Sequence, residues 1–208
     1  MNLDIEGSNS IIIEEPLLYR SVVNDLQQSI KEDSNKWIFS EDDKVLKKSS
    51  IINIVNSIFM LSFENNKISN VIVSDMNDIA LNEENFPKTQ KLLNEIEKYL
   101  YDLEWEVSYD VNIEMCDIKD IIKSSYKGVI EPEEYVDKLI SYIKIVSRIL
   151  KKEIILFIGI QSYFSLEEWK EIEKAALYEK MYIVCIERTD YLYCDNKVII
   201  DKDGCRVV

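Results

Sequence analysis

The chain has 208 residues, enough for one sizeable hydrophobic core or a core with an appended lobe. Its formal charge of −14 opposes non-specific attachment to DNA or to an anionic membrane, so a polyanionic partner requires a local basic patch or a bound cation. There is no histidine, which excludes Ser–His and Cys–His nucleophilic chemistry and imidazole metal ligation, and four glycines leave little from which to build a phosphate loop.

Ser10 to Glu14 (SIIIE) reads as a first buried strand. Pro16 then opens a helix whose apolar stripe is Leu17, Val22, Val23, Leu26 and Ile30, up to Lys31. Lys36 to Phe39 (KWIF) reads as a short strand, and Glu41 to Lys48 is polar. Ile51 to Val55 is a candidate strand that a helix fits nearly as well. The middle of the chain is helical from Ile68 to Ala80, and again from Pro87 through KTQKLLNEIEKYLYDLEWE, with Leu92, Leu93, Ile96, Leu100 and Leu103 on one face. Val107 to Ile113 alternates like an exposed strand. Cys116 to Tyr126 is a short helix that Gly128 ends, and Pro132 starts a long helix through to Leu150.

Residues 153–187 follow, and they organise the chain. Glu153 to Ile160 is a nearly unbroken apolar run of the kind buried on both faces in parallel sheets. Ser165 caps a helix, and Glu168 three residues later completes a capping box. Trp169, Ile172, Ala176 and Leu177 recur at helical spacing, and Met181 to Ile186 is a second buried run. Strand, helix and strand make one βαβ unit. Asp203-Gly204, between KVIID and CRVV, has the form of a hairpin turn. The expected fold class is therefore α/β. Residues 1–63 and 151–208 form a discontinuous sheet-and-helix head, and 64–150 an inserted α-helical leg.

Four groupings carry possible chemistry. The turn after Ile160 is QSYFS and the turn after Ile13 is EEP. Neither offers glycine or lysine, and the second places negative charge where phosphate would sit, so no nucleotide is expected. Asp110, Asn112 and Glu114 share one face if their segment is extended, and Asp117 and Asp120 follow at a helix start. Such oxygen donors suit Ca²⁺ or Mg²⁺, while a solvated polar face in an acidic protein is the simpler account of them. Basic residues outnumber acids between Lys119 and Lys152. Lys119, Lys123 and Lys127 are spaced to share one helix face, and Lys144, Arg148 and Lys151 another, as phosphate contacts require and as a solvated face also accounts for. Tyr99, Tyr101, Trp105 and Tyr109 cluster at a helix end, where they stack bases or pack at a contact between lobes or subunits. MNLDIEG has no signal-peptide pattern and no apolar run approaches about 20 residues, so no membrane association is expected. With no CxxC among the cysteines, a cytoplasmic protein with free thiols is expected.

Read end to end, the chain resembles one family on SIIIEEP, KWIF, DIKDIIKSSYKGVIE and above all KKEIILFIGIQSYFSLEEWKEIEKAALYEKMYIVCIE, ending in Glu187-Arg188. It is similar to the type II-A CRISPR-associated adaptation proteins, the Csn-two family. The resemblance implies a head like a P-loop NTPase sheet that has lost its phosphate loop, with a helical leg. It implies a calcium-supported homotetrameric ring that accepts double-stranded DNA from a free end during spacer acquisition, alongside the integrase proteins and the effector nuclease. It implies no catalysis. Carried over by position, Asp110, Glu114 and Asp120 are the foremost calcium ligands, with Asn112 where an acid is commoner. About ten residues precede the first strand, where many members carry a longer N-terminal hairpin. Two other readings of the residues stand beside this one. One is a metal-dependent nuclease using the Asp110–Asp120 carboxylates; the other is an acidic protein-interaction scaffold that does not touch DNA.

Overall fold

The computed structural model describes residues 2–32, 37–41, 44–109, 111–114, 117–191, 193–194 and 196–207. In chain order the elements are β1 (Ser8–Ile13), α1 (Pro16–Glu32), β2 (Ser40–Glu41), β3 (Lys44–Val45), α2 (Lys48–Ile51), β4 (Ile52–Val55), α3 (Asn66–Ala80), α4 (Phe86–Glu106), α5 (Ile118–Ser125), α6 (Tyr135–Arg148), β5 (Ile154–Ile158), α7 (Leu166–Tyr178), β6 (Tyr182–Glu187) and β7 (Asn196–Ile200). They divide into two compact units, Met1–Phe63 with Ile130–Val208, and Glu64–Val129.

The first unit is a five-stranded sheet in the order β4-β5-β6-β1-β7, every neighbouring pair parallel. All five residues of β5 are buried, which is why its sequence is an unbroken apolar run and not an alternation. On one face, Leu26 and Ile30 of α1 pack with Ile13, Ile154, Leu156, Val184 and Ile186. On the other, Trp169 of α7 meets Phe157 edge-on at 5.7 Å between ring centroids. The indole is fully buried, and its Nε1 donates to Ser8 Oγ at 2.8 Å, so the ring is buried without an orphaned donor. Burial of each such side chain contributes about 2–3 kcal/mol. Helices on both faces make this a mixed α/β architecture, as expected.

The βαβ unit forms as read. Glu168 N–H donates to Ser165 Oγ at 3.3 Å, and Ser165 N–H donates to Glu168 Oε2 at 2.7 Å, a complete capping box on α7. Elsewhere the structure corrects the expectations. The KWIF strand is absent at 37–39, and Lys36 lies outside the described residues. Trp37 and Phe39 instead pack partly buried against the sheet's apolar cluster, and a two-residue antiparallel pair, β2–β3, follows. Ile51–Val55 divides between both readings, as the one-turn α2 runs directly into β4. The terminal hairpin is short: on the edge of β7 that β1 leaves open, the chain turns at Asp203-Gly204 and returns in an antiparallel bridge of Ile200 to Arg206, with Val207 N–H donating to the Ile199 carbonyl at 2.9 Å. The helix expected from Pro132 begins at Tyr135. It belongs to the first unit, where it packs beside α7 with Leu139, Ile143 and Val146 buried.

The second unit contains α3, α4 and α5. Asn65 caps α3 by accepting Ile68 N–H at 2.9 Å. At the other end of α3, Thr89 Oγ1 donates to the Ala80 carbonyl at 2.8 Å, so a side chain of α4 closes the turn between them. Among the described residues of 107–113 no strand forms, since an extended segment without a neighbouring strand has no ladder to hold it.

Candidate nucleic-acid interface

Lys119 and Lys123 lie exposed on α5, four residues apart and therefore on one face. Lys127 was expected to extend this row, but α5 ends at Ser125. Its Nζ turns back to the Ser124 carbonyl at 3.0 Å, where a cation complements the carbonyl end of the helix. Gly128 follows at φ +115°, a backbone conformation that strains any side chain and so favours glycine.

The second expected row lies in the first unit. Lys144 and Arg148 are exposed on α6 and line a groove of about 420 Å³ between α6 and α7. Lys174 of α7 lines it too, which sequence spacing could not reveal because it comes from another element. The groove is not purely cationic. Arg148 makes a two-pronged bond to Glu179, Nε to Oε2 at 2.8 Å and Nη2 to Oε1 at 2.6 Å. Glu171 is also in the lining. Lys144 and Lys174 are thus the groove's lysines, while Arg148 is committed to an internal fork. Lys151 lies past the end of α6, exposed, at φ +56°.

Of the oxygen donors, Asp110 lies outside the described residues. Asn112, Glu114, Asp117 and Asp120 are exposed. Asp117 serves as the N-cap of α5, its Oδ1 accepting Asp120 N–H at 2.8 Å. Among the described residues no three Asp, Glu or Cys side chains gather as a metal cluster. Tyr99, Tyr101, Trp105 and Tyr109 are exposed on the second unit, Trp105 to 89%.

The carboxyl ends of the strands, where ligands of open α/β sheets bind, are filled by the chain's own acids. Glu15 Oε2 accepts Leu18 N–H at 2.5 Å in the first turn of α1, and bonds from the Leu17 and Leu18 amides hold its carboxyl below the usual range. After β5, Gly159 turns at φ +67°, and Glu187 Oε1 accepts Gln161 N–H at 3.0 Å. Glu187 is buried, and desolvation pushes its pKa up to about 7 against the opposing amide bonds from Gln161 and Ile160. An anion at either turn would have to displace a carboxylate.

The family model described as CRISPR-associated protein (Cas_Csn2) matches residues 27–204. The chain belongs to that family. The match spans both units, so α5, α6 and α7 with their lysines all lie within it. No curated protein matches the chain. Membership of the Csn2 family carries a role in CRISPR adaptation. No helix among the described residues is long and apolar enough to cross a membrane.

Proposed function

We propose that this chain is a non-catalytic binder of double-stranded DNA ends that acts in the cytoplasm during CRISPR spacer acquisition. It would work as a homotetrameric ring with the integrase proteins and the effector nuclease, the α/β unit serving as head and the helical unit as leg. The observation that carries the reading is the distribution of cations. In a chain of net charge −14, Lys119 and Lys123 share an exposed face of α5, and Lys144 and Lys174 line one groove. Such rows contact phosphates and carry no groups arranged to read bases, so binding is independent of sequence. Lys127, exposed beyond α5, and Lys151, exposed beyond α6, each add a cation to their own unit.

Calcium belongs to this proposal. Asp110, Asn112, Glu114, Asp117 and Asp120 are oxygen donors of the kind the ion takes, within one short segment. Among the described residues Asn112, Glu114, Asp117 and Asp120 are exposed, and on this proposal calcium draws such donors together as it binds. Calcium would neutralise acidic surface beside Lys119 and Lys123 and so strengthen DNA binding.

The deciding experiment measures binding to one duplex in linear and in closed-circular form, in Ca²⁺ and in chelator, with the protein's mass determined in parallel. Tetramers that hold linear DNA in calcium and ignore circles are expected. Equal binding to both forms would exclude a closed ring. Cleavage of the duplex with Mg²⁺ or Mn²⁺ would replace the reading with a nuclease.

A further inference from the structure

The carboxyl edge of the sheet carries a second surface that the DNA reading does not use. Phe59 sits in a single 3₁₀ turn, Ile58–Met60, just after β4, and Tyr163 in the 3₁₀ turn Gln161–Tyr163, just after β5. β4 and β5 are parallel neighbours, so both turns leave the sheet at the same edge. Tyr135 opens α6 beside them. The three rings interlock, with Phe59 edge-on to Tyr135 at 5.4 Å and to Tyr163 at 5.5 Å. Yet the cluster is open to solvent: Phe59 is 59% exposed, Tyr163 52% and the adjoining Met60 81%.

Its backbone is fixed. Ile58 is buried beneath the first turn, and Ser57 Oγ accepts Phe59 N–H at 3.2 Å. Aromatic rings held by their neighbours and by a capped turn lose little freedom when a partner covers them. Aromatic residues and methionine are also the types that interface cores favour. The residues leading into Tyr135 form an acidic collar, Glu131, Glu133 and Glu134, all exposed. The collar already holds one cation. Lys138 Nζ lies 2.7 Å from Glu131 and 5.8 Å over the Phe63 ring, a carboxylate and an aromatic face sharing one ammonium.

We propose that the Phe59–Tyr135–Tyr163 cluster, with Glu133 and Glu134 beside it, docks a Lys/Arg-rich segment of another protein that carries an apolar side chain among its cations. Charge complementarity selects this occupant. Nucleic acid would bring phosphates against the collar, and so would an anionic membrane. A second copy whose two-fold axis passes through the cluster would set Glu133 and Glu134 close to their own images, since Glu131 alone is paired with Lys138. A basic segment instead gains charge pairs with the collar and cation–π contacts with the rings, while its apolar residue covers them.

The test replaces Phe59 with the photocrosslinking residue p-benzoylphenylalanine in the full chain expressed in its native cells, and maps crosslinked peptides by mass spectrometry. The same replacement at exposed Tyr178 supplies the background. The expected result is crosslinks concentrated in Lys/Arg-rich peptides of a different protein. Their yield should fall at least about tenfold when Glu133→Lys and Glu134→Lys are added. Both glutamates are on the surface, and circular dichroism of the double variant checks that the fold is kept. Crosslinks to neutral or acidic segments, to a second copy of this chain or to nucleic acid would overturn the proposal. So would a yield unchanged by charge reversal, or no yield above that at Tyr178. The result does not depend on whether the chain binds DNA.

Discussion

Glu187 shows how a single carboxyl links burial to pH. Its pKa in the folded chain is about 7, raised by desolvation, whereas in the unfolded chain it takes the ordinary carboxylate value of 4.5. Between those values the folded form binds the proton and the unfolded form does not. This group's contribution is therefore fully present below about pH 4.5 and is lost as pH rises through about 7. Glu187→Gln should remove that loss, because a neutral amide oxygen still accepts the Gln161 N–H. The variant should gain stability on the order of 3 kcal/mol relative to the parent at pH 8 and none at pH 4, read from urea midpoints at each pH. In the sequence Glu187 was legible only as the acid that ends a strand. Its partner, the Gln161 amide, lies just past the turn at Gly159, and no local pattern encodes that partnership across 26 positions.

At the level of elements, the strand–helix–strand of 153–187 was legible because each signal was local and agreed with the others. The apolar run of β5, the Ser165–Glu168 box and the periodicity of α7 all lie within one window. Ser165→Ala should cost about 1 kcal/mol of stability, since it leaves the Glu168 amide without its acceptor; a thermal midpoint unchanged from the parent would contradict this. The alternation at 107–113 misled for the opposite reason. A period of two describes a strand only if a neighbour supplies hydrogen bonds, and the sequence does not say whether one is there. The KWIF segment is a similar case, where Trp37 and Phe39 satisfy their apolarity by packing and not by pairing. For α6 the periodicity identified the helix but not the surface that its apolar face meets; α6 packs beside α7, and so joins the first unit and not the inserted one. The basic rows were legible to the same extent. Lys144 and Arg148 fall on one face as spaced, but the fork from Arg148 to Glu179 and the addition of Lys174 come from a helix about thirty residues away.

For the molecule as a whole, the proposed binding turns on a few lysines working against a large acidic background. Lys123→Ala with Lys127→Ala should weaken binding to every duplex sequence about equally. It should also flatten the dependence of log affinity on log salt by about 2, if each lysine meets one phosphate; fluorescence titrations at several salt concentrations measure both. A loss confined to some sequences would indicate base reading and contradict the phosphate mechanism.

The position of β1 has a consequence for how the protein is made. The first strand of the chain lies between the last two, hydrogen-bonded to β6 along one edge and β7 along the other. During synthesis it leaves the ribosome with both edges open and waits until residues 182–200 have been made before it has a partner on each side. The helices of 64–129 are complete long before then, while the sheet closes only when the final strands arrive. The decisive step in assembling the α/β unit therefore waits on residues 182–200, and a ribosome stalled short of residue 182 releases a β1 whose partners β6 and β7 have not been made.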